Sequence, residues 1–213
     1  MQSDFTALTV YSHETPNLER LRRSAERFSW PFAERRLGER GHDKFLLFKH
    51  LFIREFLADL QVEHFLFIDA YDTIFISERR SLPFGYSLCF AGEKNCYPKR
   101  EYAPIFDERA SGPFPYLNSG IIWGSTELYM QHCPDYPEHD QLAWTRAAVE
   151  DPVILIDTHG GFGLNLHSTE PEDWSYQKGK WIYLPTNQAP AVLHGNGGWP
   201  IPSWAVAFGE EKK

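Results

Sequence analysis

FLFIDAYDTIF, residues 65–75, leads four apolar residues directly into two carboxylates, Asp69 and Asp72, which stand three positions apart. So short an apolar run is typical of a buried strand in an α/β sheet. Open α/β sheets bind their ligands at the carboxyl ends of the strands. Carboxylates are preferred ligands of hard divalent cations, and such cations commonly sit on phosphate oxygens. The stretch therefore predicts a metal–diphosphate site, and hence an enzyme that acts on a nucleotide sugar.

The segments on either side of this stretch predict an α/β domain. Before it, strands at 7–11 and 32–37 alternate with helices at 18–28 and 44–60, an order typical of a parallel sheet with crossover helices. Beyond residue 75 strands and helices no longer alternate regularly. We expect a loop at 96–115, a helix at 140–149, and strands at 86–91, 116–124, 153–157, 181–184 and 191–193. Residues 1–208 are predicted to form a single domain, and residues 209–213 a frayed tail.

Composition restricts the partners and the compartment. The net charge of -8 argues against a nucleic-acid partner, which requires a basic face. No apolar run approaches the roughly 20 residues of a membrane span. The first residues lack the basic and apolar regions of a signal peptide, so we expect a cytoplasmic protein. Cys89 and Cys96 could form a disulfide in an oxidising compartment, but the low cysteine count favours free thiols.

A second candidate site lies near the carboxyl end of the chain, at His194-Gly195-Asn196-Gly197-Gly198. A histidine at the end of a strand can offer a neutral imidazole to a metal. The glycines allow backbone N–H groups to approach an anion closely, although a plain glycine-rich turn has the same sequence. Together with Asp69 and Asp72, His194 would complete a reasonable Mn²⁺ ligand set.

Three further positions have both a functional and a structural interpretation. Tyr71 could stack on a base or bind a ribose, or it could be a core tyrosine. Asn118, in Asn118-Ser119-Gly120, could face sugar hydroxyls, or this segment could be an ordinary β-bulge. Asp140 could orient or deprotonate an acceptor hydroxyl, or simply cap a helix.

Taken in order, four motifs resemble the glycosyltransferase domain of procollagen lysyl hydroxylases and the related collagen galactosyl- and glucosyltransferases. The motifs are Ile-Asp-Ala-Tyr-Asp-Thr-Ile-Phe, Tyr-Leu-Asn-Ser-Gly, His-Asp-Gln-Leu-Ala-Trp-Thr-Arg and Leu-His-Gly-Asn-Gly, and they span nearly the whole chain. The resemblance implies a GT-A-like (Rossmann-like) mixed sheet flanked by helices. It also implies Mn²⁺, a UDP-sugar donor with glucose or galactose as the sugar, and retention of the anomeric configuration.

The resemblance also implies roles for individual residues. Asp69, Asp72 and His194 would bind Mn²⁺, and Tyr71 would stack on the uracil. The diphosphate and nucleotide would be contacted by residues of the glycine-rich turn and by one lysine, namely Gly195, Asn196, Gly197 and Lys44. Asn118 would face the donor sugar, and Asp140 would lie near the acceptor, a protein or a glycan that the sequence does not identify.

Two other functions stay open, the first of them because the chain departs from the family's pattern. The family's Cys-Trp-Pro is Cys96-Tyr97-Pro98 here, its acidic run is shortened to Glu138-His139-Asp140, and Gly198-Trp199-Pro200 replaces the segment that carries a lysine. These changes motivate a nucleotide-sugar binding module with little transfer activity. The second is a metal-dependent phosphoesterase, because acids together with His-Gly-Asn can also hold a metal pair. It is the weaker alternative, since the ligands are too few for two metals.

Overall fold

The computed structural model describes residues 4–37, 45–78 and 87–210. In this part of the chain the helices are α1 (Pro16–Arg27), α2 (Phe45–Leu60), α3 (Ala103–Arg109), α4 (Thr126–His132), α5 (Asp140–Glu150) and α6 (Ser203–Glu210). The strands are β1 (Phe5–Tyr11), β2 (Phe32–Arg36), β3 (His64–Ile68), β4 (Thr73–Phe75), β5 (Leu88–Glu93), β6 (Tyr116–Ser125), β7 (Ile154–Asp157), β8 (Gly163–Asn165), β9 (Trp174–Gln177), β10 (Lys180–Tyr183) and β11 (Val192–His194).

A six-stranded mixed sheet in the order β2-β1-β3-β6-β5-β7 forms the centre of the fold. The first three strands are parallel, as their alternation with helices predicts. β6 runs antiparallel to both of its neighbours, β3 and β5, which makes the sheet mixed. The α/β class with a mixed sheet flanked by helices is therefore confirmed.

Alternate residues of β1 enter two hydrophobic clusters on opposite faces of the main sheet. On one face, Ala7 packs with Leu18 and Leu21 of α1. On the other, Leu8 packs in a cluster that includes Ile53 of α2 and Trp144 of α5. The period of two along the strand thus separates two helical layers, as in other sheets buried on both faces.

A smaller sheet, in the order β4-β11-β8, lies beside the main one. β11 is antiparallel to β4 and parallel to β8, in a register that places His194 between Thr73 and Asn165. Leu164 and Leu193 of this sheet pack in a third cluster, to which Ala205 of α6 belongs. This sheet joins the segment after β3 to the carboxyl-terminal region of the chain.

Several sequence-based assignments need correction. The expected loop at 96–115 contains α3, which begins with Pro104 in its first turn. The strand predicted at 181–184 is β10, and it pairs with β9, which was not predicted. Of the tail predicted at 209–213, Gly209 and Glu210 belong to α6. Gly209 is buried, and a Cβ added there would lie 2.7 Å from Ile74 Cδ1. Residues 211–213 lie outside the described residues.

Two further predictions concern membrane spans and the cysteines. No described helix has both the length and the hydropathy needed to cross a membrane, and the cytoplasmic location stays a prediction from sequence. Cys89, Cys96 and Cys133 are free thiols, so the disulfide considered between Cys89 and Cys96 does not form.

Candidate active site

Asp69, Asp72 and His194 come together at one end of a cleft. His194 Nε2 lies 3.3 Å from Asp72 Oδ2 and 3.6 Å from Asp69 Oδ2. One ligand atom from each residue can be chosen so that all three atoms lie within 4.8 Å of one another. Two carboxylate oxygens and one imidazole nitrogen form a donor set that suits Mn²⁺, so the residues present fit such an ion.

Backbone pairing brings these three residues together. β3 ends at Ile68, and the N–H of Asp69 still donates to Gly120 O of the neighbouring β6 at 2.9 Å. β4 then pairs with β11, and the N–H of Gly195 donates to Asp72 O at 2.7 Å. The strand ladders therefore place His194 against two aspartates that precede it by about half the chain.

The Asn118-Ser119-Gly120 segment is a β-bulge that makes room for the histidine ring. Between β5 and β6 the register jumps from Phe90–Ile122 to Ala91–Asn118, and Asn118 Oδ1 accepts a hydrogen bond from Gly120 N at 2.8 Å. A Cβ on Gly120 would lie 2.1 Å from His194 Cε1. Only glycine fits at this position, because the imidazole occupies the space of a side chain.

Asn165 fixes the orientation of the His194 ring. Its Nδ2 donates to Gly92 O at 2.9 Å and to Ala91 O at 3.3 Å, so its Oδ1 must face His194 Nδ1, at 2.6 Å. An amide oxygen only accepts hydrogen bonds, and Nδ1 must therefore carry a hydrogen. The other nitrogen, Nε2, is left facing the two aspartates, as is usual for a histidine that binds a metal.

Burial and charge act in opposite directions on the Asp72–His194 pair. Burial would raise the pKa of the Asp72 carboxyl, but His194 beside it lowers this pKa below the usual value. Burial would likewise lower the pKa of His194, but Asp72 raises it. Each of the two groups therefore favours the charged form of the other, and a cation bound at Nε2 would displace any proton held there.

Lys49 of α2 is a buried cation on the floor of the cleft. Its Nζ lies 2.9 Å from Asp140 Oδ2 and 3.0 Å from Asp69 Oδ1, and it donates to Ser119 O at 3.2 Å. Burial alone would lower the pKa of Lys49, but the two carboxylates raise it well above its usual value. Even when His194 is protonated, Lys49 and the imidazolium together offset only two of the three negative charges of Asp69, Asp72 and Asp140. The remaining negative charge favours a bound divalent cation.

Glu93, at the end of β5, is a second buried acid in the cleft. Gln141 Nε2 donates to its Oε1, and Asn196 Nδ2 donates to its Oε2 at 2.8 Å. Burial raises the pKa of Glu93 to about 7, although its hydrogen bonds with Gln141, Asn118 and Asn196 lower it. Near neutral pH the protonated and the ionised forms of this carboxyl are therefore both populated.

The cleft has a volume of about 360 Å³, in the range of small-ligand sites. Eight of its lining residues carry the features described above: Lys49, Asp69, Asp72, Glu93, Asn118, Asp140, His194 and Asn196. Tyr97 and His139 also line it, with ring centroids 5.4 Å apart. A lining made mostly of polar residue types, beside one aromatic pair, can hold a charged ligand and a sugar ring.

The residues of the glycine-rich turn predicted to bind the nucleotide differ in how they meet the cleft. Gly197 lines the cleft, whereas the side chain of Asn196 is occupied by Glu93 and by His167 N, which lies 2.9 Å from Asn196 Oδ1. Gly195 is buried, and a Cβ there would lie 2.2 Å from Trp199 O. Asn196 and Gly195 thus hold the shape of the turn through these contacts.

Tyr71 lies outside the set of described residues that line the cleft. Its hydroxyl is held by the loop after β1, where it accepts hydrogen bonds from Ser12 N at 2.8 Å and His13 N at 3.0 Å. Its ring centroid is 5.1 Å from that of His13. Stacking on a uracil stays a prediction. Lys44 lies outside the described residues.

Sequence reasoning missed Lys49, Glu93 and Asn165. Lys49 could have been found, because it lies on the same face of α2 as the buried Ile53 and Phe56, which follow four and seven positions later. Glu93 could have been found by the strand-end rule that identified Asp69. Asn165 gave no such signal, since β8 was not predicted.

Comparisons with known proteins place the chain among glycosyltransferases. The sequence model of the PLOD GT domain family matches residues 1–201. No curated protein matches the chain.

Two solved structures are similar to the chain. WbbM, a bifunctional glycosyltransferase in its apo structure, is 12% identical, with a TM-score of 0.51 over 92% of this chain and 46% of that chain. A glycosyltransferase involved in the glycosylation of the major capsid of PBCV-1 is 11% identical, with a TM-score of 0.48 over 97% of this chain and 98% of that chain. At such low identity the likeness to WbbM concerns the fold alone, which is GT-A-like.

Replacement of Lys49 by methionine should destabilise the protein at neutral pH. The change keeps most of the side-chain volume but leaves Asp69 and Asp140 without their shared cation, and breaking a buried ion pair in this way costs about 3–5 kcal/mol. Urea unfolding at pH 7 without divalent cations measures the loss. Lys99→Met, at a position whose side chain is 45% exposed, is the control. A loss below about 1 kcal/mol would contradict the role assigned to Lys49.

Glu93 should make stability depend on pH. Its pKa is about 7 in the folded state against an ordinary value of 4.5, so between these pH values the folded protein holds a proton that the unfolded chain has released. The free energy of unfolding should therefore fall as pH rises through this window, by on the order of 3 kcal/mol. Glu93→Gln resembles the protonated acid and should remove this part of the slope.

The measurement for Glu93 is urea unfolding at several pH values between 4.5 and 8 in the absence of divalent cations. Glu108→Gln, at an exposed position of α3, should keep the wild-type profile. Parallel profiles for wild type and Glu93→Gln would contradict the raised pKa.

Proposed function

Because the chain belongs to the PLOD GT domain family, we propose that it transfers glucose or galactose from a UDP-sugar to a hydroxyl acceptor, with Mn²⁺ as cofactor and with retention of configuration. We also propose that residues 1–208 act as a single transferase domain, together with the rest of α6. The acceptor is a glycan or a protein.

The observation that supports this proposal best is the meeting of Asp69, Asp72 and His194 at the end of the cleft. A divalent cation bound there would supply Lewis-acid stabilisation of the negative charge that develops on a departing diphosphate. Lys49 holds the Asp69 carboxylate in place, with Nζ 3.0 Å from Oδ1 and 3.4 Å from Oδ2, the oxygen that faces His194. Asn165 and Gly120 keep the imidazole nitrogen Nε2 directed at the same place.

Asp140 and Asn118 are the proposed residues on the sugar side of the cleft. Asp140 is 2% exposed and is held by Lys49, so we assign it the orientation of a sugar or acceptor hydroxyl through a hydrogen bond. Asn118 is fixed by the bulge, with its Oδ1 on Gly120 N. Retaining transfer requires no strong general base in this scheme, since the departing phosphate can accept the acceptor's proton.

Glu93 is a further titratable group next to these residues. Its carboxyl, with a pKa of about 7, contacts Gln141 and Asn196 and lines the cleft. In its neutral form it donates a hydrogen bond, and in its ionised form it only accepts. We propose that it helps to hold the hydroxyl groups of the transferred sugar.

The direct test of the function is Asp72→Ala. The wild-type protein should bind Mn²⁺ and release UDP from UDP-glucose or UDP-galactose in a Mn²⁺-dependent manner, and the variant should lose both because a charged ligand is gone. Calorimetry with Mn²⁺ and UDP, together with a UDP-release assay, measures the two properties. Asp59→Ala, at a position that is 70% exposed, is the matched control.

The outcomes of this test separate the alternatives. Unchanged turnover in Asp72→Ala would contradict the metal site. Tight binding of Mn²⁺ and UDP without hydrolysis or transfer would favour a nucleotide-sugar binding module. Mn²⁺-dependent hydrolysis of p-nitrophenyl phosphate would favour a phosphoesterase.

Asn165→Ala should weaken Mn²⁺ binding without removing a ligand. Loss of the 2.6 Å contact frees the His194 ring to rotate, and loss of such a supporting partner typically costs 10–100-fold in metal affinity. Titration of the metal-free protein with Mn²⁺, followed by electron paramagnetic resonance of free Mn²⁺, gives the dissociation constant. Asn17→Ala, at an exposed position in α1, is the control. A change of less than twofold in Asn165→Ala would contradict the orienting role of Asn165.

A further inference from the structure

A second cleft, with a volume of about 540 Å³, lies between the segment after β8 and the start of α6. We call it the indole cleft, because Trp174, Trp199 and Trp204 line it. Trp204 stacks on Trp181 with ring centroids 3.8 Å apart, and Trp174 packs 5.1 Å from Trp204. These ring contacts give the cleft a preformed wall of indoles.

The indole cleft and the catalytic cleft share one wall, the turn at Asn196–Gly198 and the residues that pack on it. Asn196, Gly197 and His167 line the catalytic cleft, whereas Trp199 lines the indole cleft. The rings of His167 and Trp199 are packed with centroids 5.2 Å apart. A molecule in the indole cleft is therefore separated from the proposed transfer site by one layer of side chains.

The chemistry of the indole cleft fits a saccharide. The indole rings present apolar bodies with electron-rich faces, which suit the C–H face of a hexose. Polar groups occur at the rim, where Glu170 and Ser203 are both exposed. A carboxylate only accepts hydrogen bonds, and sugar hydroxyls can donate them.

Other occupants match these groups less well. A proline-rich peptide would also stack on tryptophan, but proline has no N–H for Glu170. A second nucleotide or phosphate would meet an acid at the rim of the indole cleft and a chain with a net charge of -8. The volume lies in the range of cavities that hold small ligands.

We propose that the indole cleft is an acceptor subsite that binds one saccharide unit of a neutral glycan, while a hydroxyl group on a neighbouring unit of the same glycan receives the transferred hexose in the catalytic cleft. This inference rests on the proposed function, since it assigns the acceptor side of the same reaction. It narrows the acceptor from any hydroxyl compound to a glycan. Trp199 is placed to stack on the sugar nearest the catalytic cleft.

The test measures saccharide binding without donor or metal, so that it does not depend on catalysis. Cellobiose, lactose, methyl β-glucoside and methyl β-galactoside are the probes, and saturation-transfer NMR and intrinsic tryptophan fluorescence are the readouts. At least one probe should bind to the wild-type chain. Trp199→Ala should weaken that binding tenfold or more, while Trp199→Phe should keep it within about threefold because an aromatic face remains.

Two further variants make the test specific. Glu170→Gln should weaken binding several-fold with little change in the folded structure, because the position is exposed. Leu184→Ala, at a position that is 46% exposed and does not line the indole cleft, should bind the probes as the wild type does. Thermal unfolding by circular dichroism checks that each variant is folded.

Several results would overturn the inference. These are binding of no saccharide, equal binding by wild type and Trp199→Ala, displacement of the bound saccharide by saturating Mn²⁺ and UDP, or preferential binding of decaproline. Failure of the proposed function gives a different pattern. In that case Mn²⁺ and UDP do not bind or UDP-sugar is not turned over, whatever the saccharide result.

Discussion

The antiparallel pairing of β4 with β11 is the constraint on which the candidate site depends. This ladder sets Thr73 opposite His194 and ties Gly195 to Asp72 through a backbone hydrogen bond. Backbone hydrogen bonds in a strand ladder fix relative positions to within a residue, because a shift by one residue would turn the side chain to the other face. The imidazole then fits only because position 120 is a glycine. The pairing of β4 with β11 and the space left beside Gly120 together define where a cation can bind.

Charge balance is the second requirement of the site. Three buried or half-buried aspartates in one cleft repel one another, and Lys49 reduces this repulsion without cancelling it. The protein therefore has an unfavourable cluster that becomes favourable when a divalent cation binds. Glu93 does not add to the repulsion when it is protonated, as its pKa of about 7 allows near neutral pH.

Much of the fold was predictable from local patterns. The parallel arrangement of β1, β2 and β3 follows from their alternation with two helices, and the strand ending at Ile68 follows from its apolar run. The antiparallel direction of β6 was not readable from its own residues, because parallel and antiparallel buried strands have similar apolar runs. β8 was missed for a related reason, since three residues are too few to show a period.

The sequence by itself indicated the candidate metal ligands: Asp69, Asp72 and His194 were chosen by their residue types and by their positions next to predicted strands. The tertiary structure alone decided which polar groups support them. Asn165, which orients the histidine, and Lys49, which pairs with Asp69, act through contacts between residues far apart in the chain. Such contacts depend on strand register and on the direction in which side chains pack, and both arise only when the sheets assemble. A local sequence pattern therefore predicts a metal ligand more readily than the residue that holds that ligand in place.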